Sequence, residues 1–455
     1  MLTNVALTIA SICIFSTSIN YLFRKRKLPI FSISGFFLVT YISFIYFGSI
    51  ILLLGLDSFS FQQLDMTNTI TLRKVLFLTT IFFPFYVLGI NGADIIASMR
   101  HNNELSNYLK DVKSNTCNNY SNIVVFIFLV GIFVFVLYLK KIPFVPILSV
   151  ISPQGKSPMY FRFAAVGDLF EGKIWWHKYF YAYIPYFISY IAFYNALNER
   201  GKKWKIISIT IIVYCIFISI FDIQKAPIIF YLISLFFVYY AFKPNVKSKI
   251  SVYLLTSGLA IILVILMYVF FMGRDYKNAL TEATHRALTG QIQGLYGIIE
   301  DFSDEYLWGK SFPPFFINVL GINFYDLDRE MKLYIHFYID PSTGMVGRAP
   351  TVYFGEVYAN FGLLITFISM IFVPFVLRLI DNIFLYKAPR NSIFLSFYIF
   401  LIFHYKDLAL SRFSPFLFDA QLILMIFILL IINASYRRKC SRGRGVKNRL
   451  VITER

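Results

Sequence analysis

Cysteine and acid are both scarce in this chain, and each shortage removes a class of protein. The four cysteines among 455 residues, Cys13, Cys117, Cys215 and Cys440, are scattered, which implies neither a disulfide framework nor a zinc site. Asp and Glu number 24 against 43 Lys and Arg, and charged residues make up only 15% of the sequence, where soluble domains carry about 25%. No His-x-x-x-His, glycine-rich phosphate loop or nucleophile elbow occurs. No metal or cofactor is therefore expected, and direct use of ATP is disfavoured. The net charge of +19 comes without a compact basic domain, so no nucleic-acid partner is expected.

What the chain has instead is apolar length: 58% of its residues are hydrophobic and 19% aromatic. At roughly twenty residues per crossing, the runs 3–23, 30–54, 75–97, 122–139, 179–197, 206–222, 226–242, 250–271, 353–377, 392–405 and 415–434 predict about eleven spans. The expected fold is an all-α, polytopic transmembrane helical bundle. Basic residues crowd into 24–29, 98–121, 198–205, 243–249, 378–391 and the tail after 434. The positive-inside rule makes these segments cytoplasmic and the N-terminus external. The first apolar run is long and its basic cluster follows it, so it reads as a retained helix rather than a signal peptide.

The organisation that results has spans 1–8 over 1–271, with an external loop at about 140–178. A large external segment at 272–352, spans 9–11 over 353–434 and a basic tail at 435–455 complete it. The tail's basic residues read as topology and lipid attraction, with membrane lipid as their partner. Trp175-Trp176-His177 reads as a headgroup anchor. Within 280–302, Leu280, Leu288, Ile292, Leu295, Ile299 and Phe302 share one side, and Glu282, Arg286, Thr289, Gln293 and Glu300 the other. That pattern predicts an amphipathic helix in the membrane surface with its polar side in water.

The segment ends in Gly347-Arg-Ala-Pro-Thr-Val-Tyr-Phe-Gly-Glu-Val-Tyr-Ala-Asn-Phe-Gly362, which runs into an apolar helix. Pro350 suits a first helical position, and Tyr353, Glu356 and Asn360 then fall on one face. Arg348 stands beside free backbone N–H groups, a seat for phosphate; the structural alternative is an Arg348–Glu356 ion pair. Arg162, Arg274, Arg286 and Arg412 are further external cations, as is Lys225, for which a neutralising pair with Asp222 is the alternative. Guanidinium groups gathered from distant segments would bind a diphosphate by paired hydrogen bonds. A lone His336 is more often an ordinary polar residue than a catalytic base.

The 347–362 stretch, with Arg274 after its span and Arg286 in the following helix, resembles the Wzy family of O-antigen polymerases of bacterial inner membranes. Lys225 departs from the arginine that relatives often carry in that turn. The resemblance implies a GT-C-like fold, a multi-pass inner-membrane location with periplasmic N-terminus and cytoplasmic C-terminus, and glycosyltransferase activity. The partner would be undecaprenyl-pyrophosphate-linked oligosaccharide, whose repeat units are polymerised on the periplasmic side. Whether a chain-length regulator binds stays open. It further implies Arg274, Arg286 and Arg348 on the pyrophosphates, with Lys225, Arg412 and Arg162 assisting. Tyr353 and Asn360 would line the site, and Glu356 would serve as base or positioner with His336 behind it. Two rivals stand beside this reading. An O-antigen ligase, delivering glycan to lipid A core, would use a loop histidine such as His336; a lipid-linked-oligosaccharide flippase would need charges deeper in its spans.

Overall fold

A computed structural model describes residues 2–97, 104–114, 120–151, 155–167, 169–172, 174–198, 201–243, 285–286, 288–303, 305–313, 317, 319–417 and 419–452. All regular secondary structure among these residues is helical, as backbone groups facing hydrocarbon require. Among them, eight helices are long and apolar enough to cross a membrane. They are α1 (Leu2–Lys25), α2 (Ile33–Leu53), α3 (Thr69–Ile96), α4 (Ser121–Leu139), α5 (Lys202–Phe221), α6 (Tyr353–Lys387), α7 (Ser392–Ala409) and α8 (Ser414–Arg438). These are the lengths and compositions of a multi-pass membrane protein. Helices also occupy Ile184–Asn198 and the shorter apolar Ala226–Phe242; the expected span 250–271 lies outside the described residues.

The chain divides into two units. The first comprises Met1–Asn102, Val264–Leu385 and Ile402–Asp419, and its spine is the pairing of α3 with α6. At Gly89 of α3, a Cβ would stand 2.4 Å from the Ile371 carbonyl oxygen of α6, so the two backbones meet where only hydrogen fits. Toward the C-terminal end of α6 the pair carries buried charge. Arg378 Nε donates to Asp94 Oδ1 at 2.7 Å, and Asp381 accepts from the backbone N–H of Ile33 (2.8 Å) and Ser34 (3.0 Å), capping α2. Phe37, Tyr41, Phe82, Tyr86, Tyr353 and Phe354 form a continuous aromatic core between α2, α3 and α6. In the second unit, Phe135, Tyr138, Tyr181 and Phe221 pack together. There Asn195 donates to the Tyr120 hydroxyl at 2.6 Å.

Helix α6 departs from expectation at both ends. It begins at Tyr353, not Pro350, and it breaks at Gly362, whose φ of 73° and ψ of −168° suit glycine alone. Residues 353–360 are all buried, whereas Leu363, Leu364 and Ile365 are exposed. Residues 363–387 alone exceed the ~20 needed to cross. The first two turns are thus a separate, fully packed half-helix, and the span 353–377 shifts toward the C-terminus. The expected amphipathic helix over 280–302 is also interrupted. A turn at 289–292 precedes the helix Gln293–Asp301, and Thr289 and Gln293, from the expected water-facing side, are buried.

Substituting Gly89→Ala is expected to lower the melting temperature in detergent by overpacking, at about 1–3 kcal/mol. An unchanged melting curve would show that α3 and α6 separate without cost.

Candidate functional site

The half-helix at the start of α6 is anchored by its own polar residues. Glu356 is completely buried; its Oε1 accepts from Ser311 Oγ and its Oε2 from the Ser414 backbone N–H, both at 2.7 Å. Asn360 Nδ2 donates to Ser311 Oγ (2.7 Å), and its Oδ1 accepts from the Gly309 N–H (2.8 Å). The backbone N–H groups of Leu307 and Trp308 donate to the carbonyls of Ala359 and Asn360. Two distant segments, 307–311 and 410–414, are therefore fastened to one helix turn by a carboxylate and an amide. Ahead of the helix, Val352 has a φ of 59°, rare for a β-branched residue. Gly294 admits the Pro350 carbonyl, whose oxygen lies 2.0 Å from where a Cβ would be.

Arg348 and Arg412 meet on the same acids. Arg348 Nη2 lies 3.0 Å from Asp326 Oδ2; Arg412 contacts Asp326 Oδ1 at 3.4 Å through Nη1 and Asp328 Oδ2 at 2.9 Å through Nε. Thr351 Oγ1 donates to Asp328 Oδ1 at 3.0 Å. Burial raises the Asp328 carboxyl above its ordinary range, against the opposing pull of Arg412 and the Thr351 bond. Arg348 is half exposed (51%) and Arg412 nearly covered (12%), so the first is the one open to a ligand. Two guanidiniums facing two carboxylates leave this cluster close to neutral.

A second cluster of basic residues lies in the same unit. Exposed Arg286 neighbours Lys332 and His336, and among the described residues neither Arg286 nor Lys332 has an ion-pair partner. Burial, then the Arg286 charge, pushes Lys332 down to about 8. Burial and the charges of Lys332 and Arg286 push His336 down to about 3, leaving it neutral with Nδ1 2.9 Å from the Tyr338 hydroxyl. Beside them, Asp57 binds His285 Nδ1 and Ser60 Oγ at 2.7 Å and Thr289 Oγ1 at 2.5 Å. Burial opposes ionisation of Asp57, but these hydrogen bonds outweigh it and hold the carboxyl well below its usual range.

Of the residues singled out in the sequence, Arg286, His336, Arg348, Tyr353, Glu356, Asn360 and Arg412 lie in the first unit. Arg162 and Lys225 lie in the second, and Arg274 is outside the described residues. Two pairings are corrected: Arg348 pairs with Asp326 rather than Glu356, and Asp222 pairs with Lys178 at 3.7 Å rather than Lys225. Lys225 instead precedes the Ala226–Phe242 helix, and Arg162 lies on the Pro158–Val166 helix. Tyr353 is a core residue, its ring 6.1 Å from Phe37. The contacts of His336 and Glu356 fall in separate sets. Asp57, His285, Asp326, Asp328 and Lys332 were missed. Asp326-x-Asp328 was legible as an acidic pair in a basic protein, and Lys332–His336 as an i,i+4 pair; nothing in sequence joins Asp57 to His285.

Two outcomes follow. Glu356→Ala strands the Ser414 N–H and Ser311 hydroxyl and should destabilise by about 2–4 kcal/mol. Glu356→Gln should cost less, and proteolysis within 307–311 should report the loosened loop. Lys332→Met should raise the melting temperature at pH 7. A lysine whose folded pKa is depressed from 10.5 to about 8 destabilises fully below pH 8 and progressively less toward pH 10.5, so the gain should shrink by pH 10. A gain constant with pH would refute this account. No protein-family model, curated protein or solved structure matches the chain.

Proposed function

We propose that the chain is a Wzy-type membrane glycosyltransferase that polymerises undecaprenyl-pyrophosphate-linked repeat units at the periplasmic face of a bacterial inner membrane. The supporting observation is that Arg348 and Arg412, from separate segments, meet on Asp326 beside the N-terminal end of α6. A leaving lipid diphosphate gains negative charge as the bond to the anomeric carbon breaks, and paired guanidiniums stabilise that charge most strongly in the transition state. Asp326 and Asp328 hold the two cations in place without substrate; the diphosphate takes over the exposed fork of Arg348. Glu356, sealed between Ser311 and Ser414, acts in this reading by holding the site together.

Arg348→Ala should abolish long polymer while the protein still reaches the membrane, and Arg348→Lys should restore little, because the fork is lost. The measurement is the chain-length ladder of surface glycan in a deletion strain carrying each variant. Normal ladders in Arg348→Ala would remove the residue and its cluster from the mechanism. Loss of all attached glycan on deletion would point to a ligase, and lipid-linked units trapped on the cytoplasmic face to a flippase.

A further inference from the structure

We propose that His285, oriented by Asp57, accepts the proton of the attacking sugar hydroxyl; this rests on the glycosyltransferase reading above. The two acid–base candidates evident in sequence serve poorly. Both carboxylate oxygens of Glu356 are engaged and the residue has no exposure. His336 is too weakly basic and is hydrogen-bonded to Tyr338. His285 has the arrangement a general base needs. The Asp57 carboxylate takes the Nδ1 hydrogen at 2.7 Å, which fixes the tautomer and directs the lone pair to Nε2. Ser60 and Thr289 brace the same carboxylate, and Phe59 packs its ring 4.3 Å from the imidazole. Nε2 lies 3.2 Å from Gln293 Nε2, an amide that donates in the resting state and whose place the acceptor hydroxyl takes.

Location supports the role. Gly48 of α2 lets the Leu288 carbonyl approach to 2.2 Å from where a Cβ would stand, five residues before the end of α2 at Leu53. His285, three residues before Leu288, bonds to Asp57 four residues past the end of α2, so its imidazole stands at the mouth of a membrane-spanning helix, where a lipid-linked substrate presents its diphosphate. Among the described residues, the charged and titratable groups near His285 include Asp57, Arg286, Lys332 and His336. Arg286 and Lys332 have no carboxylate partner among the described residues, and Lys332 lies one helical turn from Asp328 of the Arg348–Arg412 cluster, so both sets of cations can serve the one diphosphate.

In the step itself, the acceptor oxygen forms a bond to the anomeric carbon as the carbon–oxygen bond to the lipid diphosphate breaks. The electron pair leaves with the diphosphate. The hydroxyl proton passes to His285 Nε2, and the imidazolium is stabilised by Asp57. No oxidant, metal or nucleotide is required.

The test uses the purified full-length protein and lipid-linked repeat units extracted from a strain deleted for the gene. His285→Gln should lower kcat roughly 10²–10⁴-fold with KM changed by no more than about threefold. Asp57→Asn should lower kcat by a smaller factor, and His285→Ala should recover activity with added imidazole, which a purely structural role would not give. Wild-type kcat in His285→Gln, or a folded His285→Ala that imidazole leaves inactive, would overturn the assignment of His285 alone. Absence of polymer from the wild-type protein would overturn the glycosyltransferase reading, and this one with it.

Discussion

A carboxylate with no access to water governs the architecture of the first unit. Glu356 stands in the opening turn of α6, and burying its charge would be prohibitive without compensation. The compensation is a backbone N–H from Ser414 and a hydroxyl from Ser311, contributed by two segments distant in sequence. Hydrogen bonds in a low-dielectric setting are strong and directional, so one side chain fixes the relative positions of three stretches of chain. Asn360, one turn on, repeats the arrangement with Gly309 and Ser311.

The break at Gly362 follows from the same packing. The Tyr306 ring sits where a Cβ would project from Gly362, 2.7 Å away at its nearest atom, and the backbone there adopts a conformation closed to other residues. Residues 353–361 can therefore pack as part of the polar junction while 363–387 faces its apolar surroundings. Discontinuous helices of this kind bring polar backbone and side chains to a place where continuous ones would present only hydrocarbon-facing residues.

Charge is arranged in two contrasting ways within this unit. Arg348 and Arg412 are offset by Asp326 and Asp328, which keeps two guanidiniums close together without mutual repulsion. Arg286 and Lys332 have no carboxylate partner among the described residues, and burial together with their mutual repulsion depresses the basicity of Lys332 and His336. Groups held at such a cost concentrate where a ligand of opposite charge relieves it. The buried Asp94–Arg378 pair is a different case: it joins α3 to α6 and serves packing.

Apolar runs and basic loops alone establish the helical, membrane-spanning character, because hydrocarbon admits few backbone solutions and length reports them directly. The 347–362 stretch was equally legible as a junction: its glycines, proline and buried-face spacing of Tyr353, Glu356 and Asn360 are local features. Which charges meet was not legible. Arg348 with Asp326 rather than Glu356, Asp222 with Lys178 rather than Lys225, and Asp57 with His285 across 228 residues are outcomes of folding. Helical spacing specifies a face but not its partner, and ion pairs form between whatever groups packing brings within a few ångströms. Linear order carries periodicity; proximity between distant segments arises only when the chain has closed on itself.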